Sequence, residues 1–89
     1  MAENLDPNRK LKKGVWVKHS EIVAMDAGKK TIYPAGAGVY MGFDDKVGQH
    51  MVDLVNWDTG ETYGVSWLND NQFSMIVSYD DIPPVRRPK

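Results

Sequence analysis

The sequence predicts an all-β protein, a small twisted barrel of five or six strands, on three observations. From Gly14 onward apolar residues recur at every second position through most of the chain, the spacing of a strand with one buried face. Turn-forming residues break that pattern at intervals of about 8 to 12 residues, as in small sandwiches and barrels. No stretch keeps the helical spacing of apolar residues long enough to support a helix.

The alternation is cleanest toward the C-terminus. Phe73, Met75, Val77 and Tyr79 alternate with Ser74, Ile76, Ser78 and Asp80, which predicts a closing strand with those four large side chains turned inward. Tyr63, Val65 and Trp67 form the same kind of inward row on the preceding strand, and Val39, Met41 and Phe43 on an earlier one. Met51 to Trp57 is apolar on both faces apart from Asp53, as expected of a central strand. Asp58-Thr59-Gly60 follows at once, and an Asp leading to a Gly in left-handed conformation is the chemistry of a tight hairpin. Asp26-Ala27-Gly28-Lys29 predicts a second turn, between strands at Ile22 to Met25 and Thr31 to Tyr33. Residues 44 to 49 read as a loop, and Asn69 to Gln72 as a single 3₁₀ turn.

Eighty-nine residues make one domain, which buries only roughly 60% of the surface its unfolded chain exposes. The expected division is a flexible basic arm over 1–13, a barrel over 14–81 and a Pro/Arg tail over 82–89. The absence of cysteine removes disulfides and thiolate chemistry and suits the cytoplasm. The opening Met-Ala-Glu-Asn-Leu-Asp-Pro has acidic residues where a secretion signal needs positive charge, with no apolar run behind them, and no apolar run approaches the roughly 18 residues of a membrane span. Charge is uneven: both ends are basic, whereas residues 19 to 81 hold three lysines against ten carboxylates, a body that repels phosphate.

The layout resembles that of the SH3-like barrels. Its marks are the opening Gly14-Val-Trp-Val-Lys18, then Pro34-Ala-Gly-Ala-Gly-Val-Tyr-Met-Gly-Phe43, then Val52 through Val65, a short turn and a closing strand. Within that superfamily, Tyr63-Gly-Val and Asn69-Asp-Asn-Gln-Phe73 resemble the closing part of the PsaE subunits of photosystem I, which dock ferredoxin. Such a likeness implies a basic docking face, and the body of this chain is acidic.

Nothing in the sequence assembles a catalytic set. His19 and His50, the two histidines, lack metal-binding spacing and are expected at the surface or at strand edges. The serines lack a nucleophile elbow. Pro34-Ala35-Gly36-Ala37-Gly38 has Met41 where a dinucleotide fingerprint needs glycine, so it reads as a bend in a strand. Asp44-Asp45 and Asp80-Asp81 read as solvated turns without calcium-loop spacing. The expectation is a non-enzymatic protein without cofactor or metal.

Parity also sorts the aromatics. With Val15, Val17, Val39 and Met41 inward, Trp16 and Tyr40 face solvent, and Tyr33 joins them at the glycine-rich bend. SH3-like barrels commonly bind through aromatics near one edge, so Trp16, Tyr33 and Tyr40, with Lys18 and His19, are the expected contact surface for a protein partner. The alternative is a nucleic-acid-binding barrel whose aromatics stack on bases while the basic ends hold phosphates. The tail Ile82-Pro-Pro-Val-Arg-Arg-Pro-Lys89 lacks the Pro-x-x-Pro spacing of SH3 ligands.

Overall fold

The computed structural model describes residues 11–76 and 78–88. Most of the expected N-terminal arm, Val77, Lys89 and the side chain of Asp26 lie outside the described residues. The described residues are all-β, with seven strands in two antiparallel sheets. They are β1 (Trp16–His19), β2 (Ile22–Asp26), β3 (Lys29–Tyr33), β4 (Gly36–Asp44), β5 (Gln49–Val55), β6 (Thr62–Leu68) and β7 (Phe73–Met75). Five form one sheet in the order β6-β5-β4-β1-β7, and β2 and β3 form a separate hairpin. The larger sheet is open, with β6 and β7 as its edges. Short 3₁₀ turns occupy Asp70–Gln72, Tyr79–Asp81 and Pro84–Arg86. No helix among the described residues is long and apolar enough to cross a membrane.

The turns follow their residues. Gly60 has φ 77°, and the preceding turn hangs on Asn56, whose Oδ1 accepts the Asp58 and Thr59 amides at 2.8 and 3.0 Å. In the β2–β3 turn both Ala27 (φ 52°) and Gly28 (φ 81°) are left-handed, the conformation of a two-residue hairpin turn that prefers Asn-Gly. Alanine is strained there, because its Cβ crowds the following carbonyl oxygen. Ala27→Asn is therefore expected to stabilise the protein by about 0.5–1 kcal/mol, read as a rise in the urea midpoint at unchanged slope.

One face of the large sheet makes the core, from Val17, Tyr40, Val52, Leu54, Leu68 and Phe73, closed by Ile22 of the hairpin. Leu11, Val15 and Tyr33 pack against it partly buried. This corrects the expected parity at several positions. In β4 the register slips between Tyr40, opposite Val52, and Gly42, opposite Met51. Met41 is thus an extra residue, and Tyr40 and Phe43 share the inner face although three positions separate them. Tyr40, expected on the surface, is 2% exposed, while Met41, expected inside, is 39% exposed.

In β6 the register sets Leu68 opposite His50 and Ser66 opposite Val52, so these face inward and Tyr63, Val65 and Trp67 face out. The last strand stops at Met75, which is exposed; only Phe73 of the expected inward row is buried among the described residues, and Tyr79 stands exposed on a 3₁₀ turn.

The C-terminal segment is docked. Pro83 is fully buried, and the Arg86 guanidinium lies 5.3 Å from the Trp16 ring centre while donating to the Gly60 carbonyl at 2.8 Å. Arg87 donates to the carbonyls of Ile82 and Asp80 and stacks on Tyr79. Two arginines that read as a loose basic tail are thus engaged in holding the fold.

Candidate docking surface

The five residues expected to form one contact surface are dispersed. Tyr40 is in the core, with its hydroxyl 2.8 Å from His50 Nδ1. His50 is itself fully buried, and His19 is 5% exposed, so neither histidine is the surface residue expected. Each is covered because it sits on the inner face and its ring is hydrogen-bonded: His19 Nδ1 to the Ser20 carbonyl, His50 to Tyr40 and Asp70. Trp16 is half-buried beneath Arg86. Lys18 is exposed and lies 3.6 Å from Asp81. Tyr33, half-buried, packs against Tyr63 with the rings tilted and their centres 5.1 Å apart, and so joins the hairpin to β6.

Of these, Tyr33 alone reaches a groove of about 550 Å³ between β2 and β6. Val23, Ala24 and Met25 line it from β2, and Val65, Ser66 and Trp67 from β6, with Ile22 and Tyr33 between. Four of the large lining side chains are substantially open: Val23 53%, Met25 68%, Val65 40% and Trp67 47%. Trp67 is held in place by its indole N–H, which donates to Asp44 Oδ2 at 3.1 Å. Tyr63, beside the groove, accepts from the Asn56 side-chain amide at 3.1 Å. Both aromatics stand outward on β6 with their polar rims hydrogen-bonded.

Both walls are edge strands. Among the described residues β6 pairs only with β5 and β2 only with β3, so within them each turns a row of unpaired N–H and C=O groups outward. Edges of this kind pair readily with another extended chain unless something blocks them. Neither β6 nor the facing stretch Ile22–Met25 carries a lysine or proline, the usual blocking residues.

Sequence reasoning missed the β6 row because it chose the larger alternating set as the buried one. The available signal was Asp53, which marks the solvent side of β5. A tight hairpin after Asn56 places Val65 opposite Asp53 and Trp67 opposite Met51, hence on that outer side.

Among the described residues, no group of three or more His, Cys, Asp or Glu side chains is placed to hold a metal ion. Comparisons with models of protein families, with curated proteins and with solved structures find no match to this chain.

Proposed function

We propose that this chain is a non-catalytic protein-interaction module that takes an extended apolar segment of a partner protein along the β6 edge, in the groove facing β2. The observation that carries this reading is that two strand edges without lysine or proline face each other across a groove lined by Val23, Met25, Val65 and Trp67. Unpaired backbone calls for the donors and acceptors of an extended chain, and the apolar walls call for alternating apolar side chains. The acidic balance of residues 19 to 81 favours a segment flanked by basic residues. An accessory or regulatory subunit docking on a larger protein fits these features. The strand order, with the last strand returning beside the first, supports an SH3-like arrangement, a sheet open at β6 being its unclosed form.

The competing reading is a nucleic-acid-binding barrel, favoured by the exposed rings of Trp57, Tyr63 and Trp67. It is weakened by the engagement of Arg86 and Arg87 in the fold. Selection from a displayed random-peptide library is expected to enrich alternating apolar segments that shift the β6 amides in NMR spectra. Val65→Lys, at an exposed edge position, should fold normally and weaken that binding at least about tenfold, or about 1.4 kcal/mol. Selected peptides that bind Val65→Lys as well as the parent would refute the β6 site. Binding of oligonucleotides that falls steeply with salt would instead favour the nucleic-acid reading.

A further inference from the structure

A second concavity contains two of the four residues of the expected contact set that the groove leaves out, Lys18 and His19. Two adjoining depressions, of about 200 and 420 Å³, share Lys18, His19 and Ala35. The smaller is completed by Gly36, Trp57 and Asp81, and neither shares a lining residue with the β2–β6 groove.

His19 is 95% removed from solvent by its 5% exposure, yet only one of its ring nitrogens is used. Nδ1 lies 2.8 Å from the Ser20 carbonyl oxygen; a carbonyl only accepts, so Nδ1 carries the proton. In the neutral ring Nε2 therefore holds a lone pair. Nε2 has no hydrogen-bond partner among the described residues, where no enclosed side-chain polar atom lacks one; it is consequently open to solvent. It faces Gly36, since a Cβ built on that residue would lie 4.0 Å from Nε2. The lack of a side chain at Gly36 is what leaves the nitrogen accessible.

The other walls define what such a nitrogen would receive. Asp81 supplies a carboxylate, and Trp57, 41% exposed, supplies an indole. Two acceptors and an aromatic surface in an acidic body suit a planar cation that donates several hydrogen bonds. Lys18 already lies near Asp81, but at 3.6 Å and with its side chain 58% exposed the contact is a loose, solvent-screened ion pair that a better donor displaces. One histidine and one carboxylate make too small a ligand set for a metal ion.

We infer that this pocket binds a guanidinium group, that of an arginine side chain presented by another polypeptide. The inference stands apart from the β6 reading, and either can fail alone.

The test titrates the full chain with N-acetyl-arginine amide and with free arginine at mildly alkaline pH. Two signals are followed: Trp57 indole resonances, and the His19 ring nitrogens by long-range NMR correlation. Both are expected to move together, with the capped arginine binding at least as well as the free amino acid. Gly36→Val, whose new Cβ makes only ordinary contacts, should preserve the amide spectrum and weaken binding at least about tenfold. Lys18→Met removes the competing ammonium and should tighten it. Absence of coupled shifts, full binding by Gly36→Val, or preferential binding of acetate or phosphate that Lys18→Met abolishes would each overturn the inference. Preference for free arginine would overturn its assignment to a polypeptide.

Discussion

Replacing His50 with alanine is expected to destabilise the protein by about 3 kcal/mol or more, the cost of emptying an aromatic-sized core site. A domain of this length is held by about 4–13 kcal/mol in all. The side chain is fully buried. Nε2 lies 2.7 Å from Asp70 Oδ1 and Nδ1 2.8 Å from the Tyr40 hydroxyl. A carboxylate accepts, so Nε2 donates to Asp70, while Nδ1 and the Tyr40 hydroxyl share the second hydrogen bond. The rings of Phe43 and Phe73 meet the imidazole edge-on at 4.8 and 5.0 Å. Alanine removes both polar links and both ring contacts, and leaves a cavity where β4, β5 and the 70–72 turn meet. Smaller effects are expected from removing one link: about 1 kcal/mol for Tyr40→Phe, and about 0–1 kcal/mol for Asp70→Ala, whose side chain is 60% exposed and screened by solvent. Urea unfolding monitored by circular dichroism gives the three midpoints. A loss below that of Tyr40→Phe in the alanine variant would show that the imidazole does not join these elements.

Gly38→Ala should be comparably damaging, for a reason of space. Its added Cβ would stand 2.6 Å from Val52 Cγ1 and 2.8 Å from the Asp53 carbonyl oxygen. The valine can turn; the oxygen belongs to the β5 backbone and moves only if β4 and β5 separate. Overpacking of this kind costs about 1–3 kcal/mol and more where backbone must shift. Two residues earlier, Gly36→Ala meets nothing closer than 3.9 Å and is expected to be neutral or to stabilise by up to about 1 kcal/mol, since alanine loses less chain entropy in a strand. Thermal unfolding of the pair separates the two cases. Equal melting points would contradict the close approach of β4 and β5 at Gly38.

The strands and turns were legible because their signals are local. Period-two alternation marked β4 and β6, an apolar run on both faces marked β5, and Asp58-Thr59-Gly60 and Asp26-Ala27-Gly28 marked the hairpins. The 3₁₀ turn after Asn69 was equally plain. The facing of side chains was not, because a bulge is a relation between two strands. Once Met41 is inserted, Tyr40 turns inward, and no inspection of β4 alone reveals it. Burial of His19 and His50 was hidden for a similar reason, since their partners come from elsewhere in space or from the backbone. The proline- and arginine-rich end read as a tail because its anchors, the Trp16 ring and the Gly60 carbonyl, are distant in sequence. Of the expected contact residues, Tyr33 lies in the β2–β6 groove and Lys18 and His19 in the second pocket, while Trp16 and Tyr40 serve packing.

The docking of Arg86 on Trp16 and the pairing of Val17 with Met75 set the order in which the molecule can assemble. The β4–β5–β6 meander closes through short loops and can form early, whereas β1 gains its second neighbour only when some sixty intervening residues have been drawn together, a closure whose entropy cost precedes its reward. Trp16 is therefore a late reporter in refolding and an early one in unfolding, and its indole signals completion of the native state.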